Sequence, residues 1–488
     1  MTMMFIYRRI MGYIPGPKTL PFVGLSWKLS RIPIEDRFRW LNDLCFSFER
    51  GIVVTWFGMK PVVNIRKPWL IQIMLSSYSL MAKSNAYSML IPWLNNGILT
   101  SSGNAWLYCR HLISPAYGFD AIKCYVEIMN KNSIILDECL DKEIKFNSKA
   151  PVNILSLITK YSLDTIYEIA VGLIVNTQQT EGNLYTQTLY KFYQICIERS
   201  SNLWSQWNSR FYQATTKKMI MKDIQVMHNF IDQIIRNKIS INNGRMLMEQ
   251  DSRSPEQIKF KTFLDHLLEY NENSENPMTL QEMRQEIETL IFTGHGTISA
   301  AVTWTLFALG NELKVQENVH KELNTIFDHS NNAIDIEQLE KIKYLDRVIQ
   351  EVLRIYPSIS SIVRCIENDA VIDNFFIPKG TNINIQIYQL HHDPEIWKNP
   401  EIFDPDRFLP ENSNGRHSYA YIPFSAGPRH CIGQKLAFIE IKIVLITILR
   451  KWRVFSLLKP YELKFISNFT LRPSNNKIEL YFQPLLNA

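Results

Sequence analysis

The chain contains the run Phe424-Ser-Ala-Gly427-Pro-Arg429-His-Cys431-Ile-Gly433, which surrounds one cysteine with residues suited to a haem-iron ligand. Phe424 can shield a thiolate from water, and Gly427 permits a turn with positive φ. Arg429 can pair with a carboxylate of the ligand, and Gly433 lets the following helix approach a flat ligand closely. The pattern predicts that Cys431 is the thiolate ligand of a haem iron, an arrangement that favours O–O cleavage.

A cysteine taken alone is more often a buried structural thiol, because free cysteine is among the most buried residue types. The fixed offsets of the neighbouring Phe, Gly and Arg residues make that alternative much weaker for Cys431. The run resembles the haem-binding loop of cytochrome P-450 monooxygenases, and the resemblance extends over about residues 15–473. It implies a haem b cofactor and the fold of that family, a single triangular helical domain with peripheral β-sheets.

Composition sets limits on the class of protein. The 488 residues are 46% hydrophobic and carry a net charge of +6, which is too mild to argue for nucleic acid. The charge does suit weak attraction to an anionic membrane face or an acidic partner protein. Seven cysteines, an odd number without a CxxC pair, indicate a reduced compartment without a disulfide framework. No linker or repeat divides the chain, so we expect one domain over 15–488.

The first fourteen residues form a short N-terminal segment that is only partly apolar and is interrupted by Arg8 and Arg9. This is shorter than a membrane span requires, and no signal-peptide cleavage site follows. Family members usually carry a membrane anchor before a Pro-Gly-Pro hinge like the one at 15–17. We therefore expect peripheral association with the cytosolic face of the endoplasmic reticulum membrane, by a truncated chain or through a surface patch.

The hydrophobic pattern predicts a mainly α protein with a smaller β part. Alternation predicts a hairpin from strands 53–57 and 62–65 and a further strand at 382–387. Helical periodicity dominates from 104 to about 355, and a last helix is predicted over 434–449. Two polar stretches, 242–256 and 271–277, predict surface loops.

Glu351 and Arg354 lie three residues apart on one predicted helix face. Such a pair is usually solvated and worth little, but its neighbours are apolar, which predicts burial and therefore a need for further partners. Arg407 can supply one. The resemblance implies a locked Glu-Arg-Arg cluster that serves folding and not catalysis.

Trp106 and Arg110 are four residues apart, so an indole N–H and a guanidinium can face the same way toward a propionate. The alternative is an ordinary amphipathic helix. The resemblance implies that both residues flank the haem, and that Arg364 binds a propionate as well.

A long apolar helix is predicted over 286–310, with Gly294-His-Gly296-Thr297 in its middle. Each mid-helix glycine costs about 1 kcal/mol relative to alanine, so a gain is expected, such as a gap that admits dioxygen and water. A packing pair of glycines is the alternative. The resemblance implies that this is the distal helix and that the catalytic Thr297 helps to protonate bound oxygen.

This segment departs from the family pattern in three places. The residue before the threonine is normally acidic but is Gly296 here, and the usual second hydroxyl residue is Ile298. Other segments, among them 161–172 and 262–265, resemble family four, the fatty-acid ω-hydroxylases and their insect relatives. Many of those carry a glutamate that esterifies the haem. Thr293 occupies that position, so we expect a haem without a covalent link.

The resemblance implies a monooxygenase that takes electrons from an NADPH-dependent cytochrome P-450 reductase and oxidises a lipophilic substrate (fatty acid, hormone or xenobiotic) with dioxygen. Lys435 and Lys442 could dock the reductase. Two alternatives remain, a reductase-independent haem-thiolate isomerase or dehydratase and a non-enzymatic haem or lipid binder. The candidate pocket residues are Leu94, Ile98, Leu99, Ile291, Ser360, Ile362 and Phe469.

Overall fold

A helix that is buried on all its faces, Leu280–Asn311, runs through the core. The structure is a computed structural model that describes residues 11–146, 150–180, 182, 184–201, 209–249, 261–327 and 333–485. A helix with apolar residues all round must lie inside a protein, and this one packs against Ile154–Val171, Ser209–Glu249 and Gln434–Leu449. Its start is fixed by a capping box, in which Thr279 and Glu282 satisfy each other's backbone N–H groups. We call Leu280–Asn311 the distal helix.

Seventeen α-helices occur in the described part of the chain. In order they are α1 Ser26–Leu29, α2 Ile34–Phe46, α3 Pro68–Ser76, α4 Ile91–Leu94, α5 Gly103–Ile113, α6 Phe119–Phe146, α7 Ile154–Val171, α8 Leu184–Ser201, α9 Ser209–Glu249, α10 Phe263–Asn273, α11 (the distal helix) Leu280–Asn311, α12 Leu313–Phe327, α13 Ile336–Lys341, α14 Tyr344–Ile355, α15 Ile387–His391, α16 Pro410–Ser413 and α17 Gln434–Leu449.

The strands form four small sheets. In chain order they are β1 Ile52–Phe57, β2 Lys60–Ile65, β3 Val152–Asn153, β4 Ile362–Cys365, β5 Ala370–Ile372, β6 Phe375–Ile377, β7 Asn382–Ile385, β8 Trp452–Ser456, β9 Phe465–Ser467, β10 Leu471–Pro473 and β11 Glu479–Pro484. The largest sheet has the order β1-β2-β7-β4 and contains one parallel pair, β2 with β7. The others are β3-β11-β8, β10-β9 and β5-β6.

Strand pairing fixes the backbone of two arginines, Arg364 and Arg472. Arg364 of β4 pairs with Ile383 of β7 on one side and bridges to Lys83 on the other. In the β9–β10 hairpin, Arg472 is opposite Ile466. Strand pairing therefore places both arginines by backbone hydrogen bonds and not by loop conformation alone.

The segment 161–172 has a structural explanation. The Asp164 carboxylate accepts hydrogen bonds from the Thr177 N–H and hydroxyl and from the Gln178 N–H, at 2.7–3.0 Å. Gly172 ends α7 with φ +74°, the left-handed conformation that favours glycine at this position. These residues therefore fix the end of α7 and the turn that follows it.

The predicted Glu-Arg-Arg cluster is present. Both carboxylate oxygens of Glu351 accept hydrogen bonds from Arg354, at 2.7 and 2.8 Å. Glu351, Arg354 and Arg407 are all largely buried. Arg407 Nε donates to the same carboxylate at 3.3 Å, and Arg354 also donates to the His391 carbonyl at 2.9 Å. The pair has the additional partners that a buried ion pair requires, and it joins α14 to the segment before the cysteine loop.

The mainly α prediction with a smaller β part is confirmed, as are both strands of the first hairpin and the bounds of the last helix. The loop predicted at 242–256 is wrong for 242–249, because α9 continues to Glu249, and residues 250–256 lie outside the described residues. Residues 1–10 of the N-terminal segment also lie outside them. Among the described helices, none has the length and apolar character needed to cross a membrane.

Candidate active site

The cysteine loop, residues 424–433, is closed by a hydrogen bond from the Cys431 N–H to the Phe424 carbonyl at 2.9 Å. Gly427 has φ +71°, and a Cβ at this position would lie 1.9 Å from the Leu75 carbonyl oxygen. No other residue fits that contact, so the loop can press against the end of α3 only with glycine here. Gly433 is less demanding, because a Cβ there would make an ordinary 3.6 Å contact with Tyr117.

Cys431 presents an accessible thiol. Desolvation by the surrounding protein raises the pKa of the thiol, while the Gly433 N–H and the Arg110 guanidinium lower it. Phe424, the first residue of the loop, packs on Phe438 with ring centroids 5.5 Å apart. The thiol therefore has an apolar side, a backbone donor and a nearby cation, the surroundings that a thiolate metal ligand requires.

Trp106 and Arg110 of α5 both face this loop. Arg110 donates to the His430 carbonyl at 2.9 Å, directly before the cysteine. The Trp106 ring is buried and lies under the Arg429 guanidinium, 4.8 Å from the ring centroid. The four-residue spacing thus brings both side chains to the cysteine loop.

Arg429 is held by backbone carbonyls. Its Nη1 donates to Met81 at 3.0 Å, and its Nη2 donates to Ser101 at 2.7 Å and to Ile98 at 3.2 Å. These neutral acceptors fix the guanidinium but leave its charge uncompensated. Burial, and then the neighbouring Arg364, lower the pKa of Arg429 to about 9.

Three cations meet at this point. Arg364 is buried on β4, and burial lowers the pKa of its guanidinium. Burial and the charges of Arg364 and Arg429 lower the pKa of Lys83 far below its ordinary value. No carboxylate of the described residues lies within ion-pair distance of these three side chains. Buried charges without counter-ions are costly, so the cluster requires anions that the described protein does not supply.

The two propionates of haem fit that requirement, and the accessible thiol of Cys431 fits its iron. The residues present therefore suit the cofactor. Sequence reasoning identified Arg364 and Arg429 but missed Lys83. Lys83 joins them only because the Cys365 N–H donates to the Ala82 carbonyl at 2.9 Å, a pairing with no local sequence signal.

Thr297 is partly buried on the distal helix. Its Oγ1 donates to the Thr293 carbonyl at 2.8 Å, and its own carbonyl accepts from Ser358 Oγ at 3.0 Å. The helix continues through this region without interruption, so the predicted gap is not a break. Thr297 makes no hydrogen bond to the described residues of the cysteine loop or the cation cluster.

The two glycines before Thr297 have different roles. A Cβ on Gly294 would lie 2.6 Å from Ile166 Cδ1, so this glycine allows α7 to pack closely. A Cβ on Gly296 would meet nothing nearer than 3.7 Å, where Arg472 Nη2 and a Thr470 methyl lie. Of these two glycine positions, only Gly296 would accept a Cβ, at ordinary contact distance from Arg472 and Thr470.

Four of the candidate pocket residues have accessible surface and three are buried. Ile98, Leu99, Ile362 and Phe469 are partly exposed. Leu94 and Ile291 are fully buried within the core, so neither has accessible surface in this structure. Ser360 is also buried, with its hydroxyl paired to Ser467.

Comparisons with known proteins agree with this geometry. The family model described as "Cytochrome P450" matches residues 14–480. "Cytochrome P450 4V2" of Rattus norvegicus is 36% identical over 429 residues, 87% of this chain and 81% of the relative. "Cytochrome P450 4c21" of Blattella germanica is 35% identical over 463 residues, 94% of this chain and 91% of the relative.

A solved structure supports the fold. The "Crystal structure of cytochrome P450DA heme domain" has a TM-score of 0.81 at 21% identity and covers 97% of this chain and 98% of its own. This likeness, with the family match and the 35–36% identical relatives, confirms the predicted fold and the haem cofactor. The chain therefore belongs to the cytochrome P450 family of haem-thiolate monooxygenases.

Proposed function

We propose that this enzyme inserts one atom of dioxygen into a C–H bond of a lipophilic substrate, with electrons from an NADPH-dependent reductase. One substrate, one O₂, one NADPH and one proton give the alcohol, water and NADP⁺. The observation that supports the proposal is the accessible Cys431 thiol in the same loop as Arg429, which clusters with Lys83 and Arg364 without a described counter-ion. The bound haem would supply the oxygen-activating chemistry.

The residues around the cofactor have separate tasks in this proposal. Cys431 ligates the iron, and Arg110 and the Gly433 N–H stabilise its thiolate. Arg364 and Arg429 hold the propionates, together with Lys83. Trp106 packs under Arg429 and can donate its indole N–H to the same carboxylates. Phe424 shields the sulfur from water.

Thr297 is the proposed catalytic residue. Because its hydroxyl hydrogen is donated to the Thr293 carbonyl, its oxygen lone pairs remain able to accept a hydrogen bond from water or from a protonated oxygen. The hydroxyl can therefore hold a proton-bearing group in place. Ser358 and the helix fix the Thr297 backbone, so this placement needs no rearrangement.

The proposed substrate class rests on a group of aromatic side chains on and beside the distal helix. Phe469 packs edge-to-face on Phe292, 5.2 Å between centroids, and Tyr193 stacks on Phe292 at 5.6 Å. Aromatic walls with few polar groups are typical of sites for lipophilic molecules. Fatty acids, hormones and xenobiotics all meet this description.

The partners are proposed from charge and family. The net charge of +6 suits an acidic reductase and an anionic membrane face. Lys435 is exposed beside the cysteine loop and can contribute to reductase docking. Lys442 cannot, because it is buried and donates to the Leu339 carbonyl at 2.9 Å. We place the enzyme on the cytosolic face of the endoplasmic reticulum membrane, with residues 15–488 as one domain.

The experiment is NADPH consumption by the purified enzyme with a cytochrome P450 reductase, under ¹⁸O₂, over a panel of lipophilic compounds. We expect substrate-dependent NADPH oxidation and one ¹⁸O atom in the product. Turnover that needs neither reductase nor dioxygen would instead identify an isomerase or dehydratase. Saturable ligand binding without any turnover would identify a non-enzymatic binder.

A further inference from the structure

Arg472 is held rigidly at the edge of the distal helix. It lies on β10, where the preceding Leu471 N–H donates to the Ser358 carbonyl at 2.9 Å. The Trp304 indole of the distal helix donates to the Leu471 carbonyl at 3.0 Å. Hydrogen bonds to the N–H and the carbonyl of Leu471 therefore fix the backbone next to Arg472.

The guanidinium of Arg472 has no described counter-ion. Its Nε donates to Thr470 Oγ1 at 3.0 Å. Burial lowers the pKa of the guanidinium, while the Tyr193 and Tyr190 hydroxyls raise it. No carboxylate of the described residues lies within 4.0 Å of it.

Asp164, an acidic residue close enough to act on Tyr190, is already occupied. Asp164 raises the pKa of Tyr190, but its oxygens accept from Thr177 and Gln178. The charge of Arg472 also contributes to lowering the pKa of the adjacent His295 to about 4, after the larger effect of burial. The guanidinium is therefore a positive charge among neutral groups.

Gly296 lies directly beside this charge. A Cβ there would lie 3.7 Å from Arg472 Nη2, with no closer neighbour. The equivalent position on Gly294 is filled by Ile166 at 2.6 Å. Gly296 is thus a position of the distal helix that would accept a side chain, and a cation faces it.

We infer that the Arg472 guanidinium, where it faces Gly296, forms a carboxylate-binding subsite next to Thr297. The carboxylate is either part of the substrate or a free small anion such as formate or bicarbonate. The inference extends the proposed function, because it adds an anion site beside the catalytic threonine. Charge-assisted hydrogen bonds to a guanidinium are worth about 1.5–3 kcal/mol, which corresponds to roughly 10- to 150-fold in affinity.

The first arm of the test uses a free anion. The thermal midpoint of the haem-loaded enzyme is measured against sodium formate, with sodium chloride at equal ionic strength as reference. We expect a saturable rise with formate. The formate-dependent rise should be lost in Arg472→Gln, and also in Gly296→Asp, because the new aspartate supplies its own carboxylate. It should be kept in Arg453→Gln, which changes an exposed arginine of β8.

The second arm uses a carboxylate carried by a lipophilic chain. Dissociation constants for decanoate and decan-1-ol are obtained by optical titration of the haem band. If the substrate carries the anion, Arg472→Gln and Gly296→Asp weaken decanoate about 10-fold or more and leave decan-1-ol unchanged. Arg472→Lys should retain part of the preference, which distinguishes charge from folding.

Response in the formate arm alone identifies a free anion, response in the decanoate arm alone identifies the substrate, and both together show a site open to either. Each of these supports the inference. No change in either arm with correctly folded variants overturns it. Because both arms measure binding, they stay informative even if the enzyme fails to oxidise any substrate with the reductase.

Discussion

Thr297 Oγ1 donates a 2.8 Å hydrogen bond to the carbonyl of Thr293, one turn earlier on the distal helix. The Thr293 hydroxyl does the same to Thr289, also at 2.8 Å. Such back-bonding fixes the rotamer of each threonine and uses its hydrogen. The hydroxyl of Thr293 is therefore hydrogen-bonded within its own helix. This is the position where many members of family four carry the glutamate that attaches the haem.

The first prediction concerns haem attachment. A threonine hydroxyl cannot form the carboxylate ester that a glutamate forms at this position in relatives, so haem should be fully extracted by acidified organic solvent. Thr293→Glu, after turnover, is the matched variant and should retain part of its haem. A native polypeptide whose mass includes one haem after extraction would contradict the prediction.

The second prediction concerns the iron ligand. Cys431→Ala should abolish the red-shifted Soret band of the reduced, carbon monoxide-bound protein, because the thiolate that produces it is gone. Cys124→Ala, a partly exposed cysteine of α6, serves as control and should keep the band. A Cys431→Ala protein that still shows it would require another ligand.

The third prediction concerns Lys83, which sequence reasoning missed. If the cation cluster binds the propionates, Lys83→Met should weaken haem binding about 10- to 100-fold, the effect of losing one charged hydrogen bond. The measurement is the rate of haem transfer to a haem scavenger. Lys60→Met on β2, an exposed lysine, should transfer haem at the native rate, and equal rates for both variants would show that Lys83 does not contact the cofactor.

The sequence was sufficient to predict those features whose signal lies in a short stretch of residues. The cysteine loop and the helix that follows it are contiguous, and the three-residue spacing of Glu351 and Arg354 is enough to pair them on one helix face. Their third partner, Arg407, came from the family pattern and is in contact as expected.

Other features depend on contacts between distant segments. Gly294 and Gly296 look alike in the sequence. Only their neighbours distinguish them, because a Cβ on Gly294 would clash with Ile166, whereas a Cβ on Gly296 would make ordinary contact with Arg472 and Thr470. Lys83 and Arg472 reach their places through strand pairing. Leu94 and Ile291 are apolar like the pocket residues, but tertiary packing buries them fully.

The fourth prediction uses the buried carboxyl of Glu440 on α17, where burial raises the pKa to about 8 from an ordinary 4.5. Between these values the unfolded chain loses a proton that the folded protein keeps. The free energy of unfolding should therefore fall as pH rises, by at most about 1.4 kcal/mol per pH unit.

Glu440→Gln removes this titration. The thermal midpoint of Glu440→Gln minus that of the native enzyme should increase from pH 5.5 to pH 7.5. The same difference for the exposed control Glu411→Gln should not increase. The same native-to-variant difference at both pH values would show that Glu440 is ionised in the folded protein.

The last prediction concerns coupling between NADPH oxidation and product formation. An acid at position 296 would deliver protons beside Thr297, and general acid–base groups are typically worth 10²–10⁴-fold in rate. Gly296 cannot do this. In buffer without carboxylates we expect NADPH consumption well above product formation, with the difference recovered as hydrogen peroxide from O₂, NADPH and one proton.

Gly296→Asp should shift electrons from peroxide to product several-fold. The helix should accept the change, because the nearest atoms to a new Cβ are 3.7 Å away and replacing a mid-helix glycine reduces the entropy of the unfolded chain. The new carboxylate would also face Arg472, which offsets the cost of burying it. Gly296→Ala adds the Cβ without the acid and should stay as poorly coupled as the native enzyme. Tight coupling in the native enzyme would show instead that water held by Thr297, or Thr293, already delivers the protons, and that the glycine costs the reaction nothing.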